Sequence, residues 1–180
     1  MSAGAEQPVF RHEPLDRQHS RAAFSCGEPR LDSYLQRYAT QDRSRHLASV
    51  FVLADSDGTI AAFYTLNAAG VEREVLPPGT VRGPYDTIPA TLLGRLAVDR
   101  RYQGRRLGDL VLLNALFRAL RQSAQVAAAL VIVDAIDERA ARLYGRGGFA
   151  PLPEAPSRLY LPMATIARYP FTDPDLPVTL

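Results

Sequence analysis

The run from Ala127 to Ala135, Ala-Ala-Ala-Leu-Val-Ile-Val-Asp-Ala, is the strongest constraint on how this chain folds. So apolar a stretch reads as a strand buried on both faces, which requires a sheet covered by helices on either side. The neighbouring patterns agree. Thr91 to Val98 reads as a strand, Leu107 to Gln122 as a long apolar helix, and Asp137 to Arg146 as a short helix. Gly147-Gly148 then suits a left-handed cap. Phe149 and the run Arg158 to Met163 supply a last strand.

The first half has a different rhythm. Residues 8–15 read as a strand, and Pro29 to Arg43 as an amphipathic helix with Leu31, Tyr34, Leu35 and Tyr38 on its apolar side. Ser49 to Ala54 and Thr59 to Leu66 flank Asp55-Ser56-Asp57-Gly58, which signals a hairpin. Val71 to Pro89, broken by prolines and glycines, is expected to be a long surface excursion, and such loops tend to be functional. Antiparallel strands followed by strand, helix, strand, helix, strand specify an α/β domain with a mixed sheet.

At 180 residues the chain is long enough for one core. We expect one domain over 1–168 and a Pro-rich tail over 169–180 that is either docked or mobile. Hydrophobic residues make up 47%, yet no apolar run is long enough to span a bilayer. The N-terminus lacks the blocks of a signal peptide. A single cysteine, Cys26, forbids an intrachain disulfide and suits the cytoplasm. The net charge of +2 does not announce nucleic-acid binding, but all 21 basic residues are arginine. A GC-rich genome explains most of that bias; the planar guanidinium fork also suits phosphate.

Gly94 to Gly108, Gly-Arg-Leu-Ala-Val-Asp-Arg-Arg-Tyr-Gln-Gly-Arg-Arg-Leu-Gly, is the most specific segment. It is a strand that delivers a glycine-containing, arginine-rich loop to the start of a long helix, where free N–H groups and the helix dipole attract an anion. Neither the dinucleotide fingerprint nor the Walker spacing is present. The segment resembles the pyrophosphate loop of the GNAT superfamily of N-acetyltransferases, with Arg101, Gly104 and Arg105 at matching positions and Arg106 where that family has a small residue. The resemblance implies the GNAT fold, a mixed and mostly antiparallel central sheet flanked by helices. It also implies acetyl-CoA as acetyl donor, held by Leu96, Ala97, Val98, Gln103, Gly104, Arg105, Arg106, Leu107 and Gly108, with no metal.

The segment Asp134 to Phe149 is similar to the GNAT stretch in which a tyrosine precedes a Gly-Phe by one turn. This implies Tyr144 as the general acid that protonates the departing thiolate, and Asp137 as helix cap, cofactor contact, or both. Phe24-Ser25-Cys26-Gly27-Glu28 with Leu31-Asp32, then Leu93 to Asp99 and Leu159 to Met163, look like the GNAT toxins of bacterial toxin–antitoxin pairs. That likeness implies the α-amine of aminoacyl-tRNA as acceptor, a ribbon-helix-helix antitoxin as partner, and a homodimer. Two other functions stay open: acetylation of a small amine, antibiotic or protein N-terminus, and non-catalytic acyl-CoA binding. Cys26 lacks a His or Asp pattern that would make it a nucleophile, and His12, His19 and His46 lack metal-ligand spacing. The arginines of the first helix read as a solvated face, with RNA contact the sharper alternative.

Overall fold

The computed structural model describes residues 8–173 and 175–180; the N-terminal residues read above for targeting lie outside them. Eight strands form one sheet in the order β6-β7-β5-β4-β3-β2-β1-β8. Val9–Pro14 (β1), Ser49–Asp55 (β2), Ile60–Glu72 (β3) and Thr87–Val98 (β4) run antiparallel in succession. Leu130–Asp134 (β5) lies parallel to β4, joined to it through the long helix Leu107–Ser123 (α3). Ala150–Leu152 (β6) and Ala155–Pro162 (β7) form a hairpin, with β7 antiparallel to β5. The stretch read as one last strand therefore holds two, and Met163 belongs to a short helix, Met163–Ile166 (α5).

The apolar run 127–135 contains β5. Val131 and Val133 face α3, whereas Leu130 and Ile132 face a separate cluster with Val71, Leu76 and Ile88. On the α3 side, Leu107, Val111, Leu112, Ala115, Leu116 and Ala119 pack on Tyr64, Leu93 and Leu161. The opposite face of β2 and β3 is covered by the first helical segment, with Phe24, Leu35, Val50, Val52 and Phe63 between them.

That segment departs from the expected helix in one respect. Pro29–Ser33 (α1) and Ala39–Ser44 (α2) are joined by a π-helical turn, Tyr34–Tyr38, in which the Ala39 N–H donates to Tyr34 O. The extra residue rotates the apolar face by one position. Tyr38 is 53% exposed, while Ala39 is fully buried in its place.

The expected excursion from Val71 to Pro89 shrinks to residues 73–86, because β3 and β4 continue pairing to Glu72 and Thr87. Arg73 staples this loop, donating from Nε to Tyr85 O and from Nη1 to Val81 O, each at 2.6 Å. Leu76 covers the cluster around Ile88 and Ile132. The loop is a lid on the core and takes no part in the cleft described below. The hairpin between β2 and β3 forms as expected. Gly58 adopts φ +80°, and a side chain there would collide with Gln18 O.

The tail docks. Val178–Thr179 (β8) pairs antiparallel with β1, and Phe171 packs edge-on against Phe117 of α3 at 5.1 Å. Among the described residues no helix is long and apolar enough to cross a membrane.

Candidate active site

β4 pairs with β5 only from Ala90 to Leu93. Beyond Leu93 the two strands part, and the register on the other side of β4 shifts between Leu93 and Arg95, leaving Gly94 as the bulged residue. A side chain at Gly94 would meet Thr65 Oγ1 at 2.9 Å and Asn67 Oδ1 at 3.2 Å, so this position has no room for one. The parting of the strands opens a cleft of about 770 Å³ between the end of β4, the start of α3 and Glu138–Arg146 (α4).

Backbone direction defines one wall. The Asp99 N–H donates to Ala61 O across β3 at 2.8 Å. Because successive peptide groups of a strand alternate in direction, the N–H groups of Leu96 and Val98 point to the unpaired edge, into the cleft. Val98 O on that edge accepts from Gln103 Nε2 at 2.8 Å, and the same amide donates to Cys26 O at 2.8 Å. Gln103 thus ties the end of β4 to the Cys26–Glu28 loop.

That loop is built by two carboxylates. Asp32 accepts from the Cys26 N–H at 2.7 Å and from Ser25 Oγ at 3.1 Å. Asp99, almost fully buried, accepts from the backbone N–H groups of Ser25 and Arg101 and from the Arg101 guanidinium at 2.8 Å. Burial alone would raise the Asp99 pKa, but the hydrogen bonds from Arg101 and Ser25 outweigh it and hold the carboxyl below its ordinary range. Cys26 lines the cleft as a neutral thiol. Burial, then the hydrogen bond with Asp32, pushes it up to about 11, which disqualifies it as a nucleophile at neutral pH.

The floor is the start of α3. Gly104, at φ +80°, has nothing within 4 Å of the place a side chain would fill, and Arg106 caps the helix in a left-handed conformation without a side-chain capping bond. The Asp109 N–H turns back to Arg106 O at 3.2 Å, and the Leu107 and Gly108 N–H groups ahead of it have no acceptor within the helix. Open space over exposed amides fits a pyrophosphate. Of the residues expected to hold the cofactor, Leu96, Ala97, Val98, Gln103, Gly104, Arg106, Leu107, Gly108 and Asp137 all line this cleft. Arg105 does not; it lies between two left-handed residues that turn the chain, and is exposed to solvent.

The opposite wall is α4. Asp137 caps it, accepting from the Ala140 N–H at 2.7 Å. Arg139, Arg142, Leu143 and Arg146 line the cleft at helical spacing, a pattern present in the sequence but masked there by the abundance of arginine. Ile136, Cys26 and Leu31 also line it and were not singled out as cofactor contacts, since only the fold brings their loops to β4.

Tyr144 lies on the inner face of α4, 5% exposed, among the residues packed against α3. Its place is set by how the helix ends. Gly148 is the left-handed residue, at φ +97°, whereas Gly147 keeps helical backbone. The Phe149 N–H returns to Tyr144 O at 3.1 Å and the Gly148 N–H to Gly145 O at 3.0 Å, a Schellman closure. It brings the Phe149 ring edge-on to Tyr144 at 5.7 Å. Burial, with the Asp137 carboxylate adding to it, raises the Tyr144 pKa further, so the phenol stays protonated at neutral pH.

Comparison with known proteins places this cleft in context. The chain is 33% identical over 176 residues to the probable toxin TacT of Sinorhizobium fredii, covering 92% of this chain and 96% of that protein. It is 34% identical over 141 residues to the tRNA-acetylating toxin of Mycobacterium tuberculosis, covering 78% and 84%. Among solved structures, AtaT complexed with acetyl-methionyl-tRNA superposes with a TM-score of 0.82 at 28% identity, over 88% of this chain and 97% of that one. A tyrosine-to-phenylalanine mutant of AtaT, bound to the C-terminus of the antitoxin AtaR and acetyl-CoA, superposes with a TM-score of 0.76 at 26% identity, over 87% and 95%. The family model for the GNAT acetyltransferases matches residues 15–149. On that match, and on a mixed sheet whose β4 parts from β5 above a helix N-terminus, this chain belongs to the acetyltransferase (GNAT) family.

Proposed function

We propose that this protein is a toxin-type N-acetyltransferase that moves an acetyl group from acetyl-CoA directly to the α-amine of an aminoacyl-tRNA. The observation that carries the reading is the cleft opened where β4 leaves β5, with the Val98 N–H on its edge and exposed amides at its floor. The tRNA-acetylating relative supports the acceptor, and the acetyl-CoA complex of AtaT supports the donor. Exposed Arg30, Arg37, Arg43 and Arg45 on and just after the first helical segment offer charge to an RNA backbone.

In this reading the pyrophosphate rests on the amides from Gly104 to Gly108, and the pantetheine arm lies along the free edge of β4. An α-amine has an ordinary pKa of about 8, so a useful fraction is unprotonated at neutral pH. Its nitrogen attacks the thioester carbonyl, whose oxygen accepts a hydrogen bond from the Val98 N–H. The carbon–sulfur bond breaks as the amide forms, Tyr144 gives its proton to sulfur, and the proton the amine loses returns through solvent to Tyr144. No covalent enzyme intermediate is needed, in keeping with the neutral Cys26 thiol. A ribbon-helix-helix antitoxin as partner, a homodimer as assembly and the cytoplasm as location complete the proposal.

The test is transfer of labelled acetyl from acetyl-CoA to a pool of charged tRNA, with deacylated tRNA and Tyr144→Phe as controls. Label confined to charged tRNA and lost in the variant is the expected outcome. No label despite measurable acetyl-CoA binding would turn the search to small amines and protein N-termini.

A further inference from the structure

The cleft keeps two arginines where local structure disfavours them. Arg139 occupies the first turn of α4, beside the positive pole of the helix dipole, where a cation is unfavourable. Arg106 holds a left-handed backbone at φ 57°, a costly conformation for a residue with a side chain. Both line the same cleft, and neither guanidinium hydrogen-bonds or ion-pairs among the described residues.

Arg142 and Arg146 follow Arg139 at helical spacing, so three cations crowd one face of α4 and repel. Only one is neutralised within the fold. Arg146 reaches Asp109 of α3 at 3.0 Å, and one turn away Leu143 covers Gly108, where an added Cβ would meet it at 3.6 Å. Those two contacts hold α4 against the start of α3. Arg142 has Glu138 at 3.5 Å with both side chains largely exposed, a pairing of little strength. Positive charge is therefore left over at the N-terminal end of α4, in the cleft that Arg106 also enters. Local rules broken without structural return mark a site of function.

We infer that Arg139, Arg142 and Arg106 form a subsite for a phosphate monoester, occupied by the 3′-phosphate of CoA. The inference rests on the acetyl-CoA reading above and deepens it. The amides of the α3 N-terminus take the pyrophosphate, and the 3′-phosphate is the remaining phosphate of the same molecule. A monoester carries close to two charges at neutral pH, which suits several guanidinium groups better than the single charge of an RNA diester.

Isothermal titration of the full chain with CoA and with dephospho-CoA tests it, using wild type, Arg139→Gln/Arg142→Gln and Arg106→Gly, with thermal melts to establish folding. Wild type should bind dephospho-CoA about tenfold more weakly than CoA or worse. The double variant should lose CoA affinity by a similar factor and keep its dephospho-CoA affinity within about twofold. Arg106→Gly should likewise weaken CoA more than dephospho-CoA. Equal wild-type affinity for the two ligands, or equal loss of both in the double variant, overturns the subsite. Loss of tRNA binding with CoA affinity intact would assign the arginines to RNA and overturn it too. Failure of wild type to bind either ligand would instead sink the acetyl-CoA reading itself.

Discussion

The two ends of α3 use the same residue types to opposite ends. In the middle turns, Asn114 and Arg118 are answered by protein. The Tyr64 hydroxyl donates to Asn114 Oδ1 at 2.6 Å, Arg118 Nε donates to the Tyr64 oxygen at 3.0 Å, and Arg118 also reaches Asp175 of the tail at 3.0 Å while lying over the Phe51 ring. At the N-terminus, Arg106 is strained and unanswered, Gly104 faces open space, and the first amides lack acceptors. A satisfied network of this kind rigidifies a core. An unsatisfied one in a cleft costs stability and is kept for a ligand. Arginine at 118 is architecture; arginine at 106 is the one we propose for recognition.

Substitutions can break or sharpen that contrast. The largest effect is expected from Tyr144→Phe, which removes the proposed acid while keeping the Phe149 contact. Turnover should fall about a hundredfold or more, with the Kd for acetyl-CoA unchanged in equilibrium titration. Unchanged turnover would strip Tyr144 of its role.

Next come the two buried polar anchors. Tyr64→Phe should leave Asn114 Oδ1 and the Arg118 Nε–H without that partner and cost about 1–3 kcal/mol in urea unfolding, with acetyl-CoA affinity intact. Asp99→Asn should cost a comparable amount by loosening the Ser25 and Arg101 contacts. Asp99 also predicts a pH signature. Its folded pKa lies below the unfolded value, so its contribution is complete well above about pH 4 and is lost as pH falls through the folded value. A stability profile whose acid limb is unchanged in Asp99→Asn would refute that account.

Arg106→Gly should separate the two ends most clearly. Relief of the left-handed backbone should raise stability by about 1 kcal/mol, the opposite sign to Tyr64→Phe, while CoA binding weakens. A destabilised Arg106→Gly would mean that the side chain is structural after all. Asp175→Asn should have the smallest effect, below about 1 kcal/mol, because its ion pair with Arg118 is largely exposed. Hydrogen exchange confined to the β1–β8 edge would register it.

Much of this was legible in the sequence because it depends on local chemistry. The alternation and runs of apolar residues specified six of the eight strands in rough outline, and Pro29, Asp137 and Gly148 marked helix ends through backbone geometry alone. The segment from Val98 to Gly108 marked the anion-binding turn for the same reason: glycine and helix starts act within a few residues. The π turn was invisible, since nothing in Tyr34–Tyr38 distinguishes it from an ordinary helix until Ala39 must fit under β2 and β3. So was β8, a two-residue strand whose pairing needs the edge of β1 to exist first.

The sequence by itself determined the outline of six strands and the long helix, and marked the turn into α3 as a candidate anion site, because those outcomes follow from side-chain periodicity and backbone freedom over short distances. Only the tertiary structure decided that β4 parts from β5 at Gly94, that Asp99 brings the Cys26 loop to the same cleft, and which arginines are answered within the fold. These are contacts between distant parts of the chain, such as Ser25 with Asp99, 74 residues apart, and a partner at that distance is a property of the folded chain, not of the spacing along it.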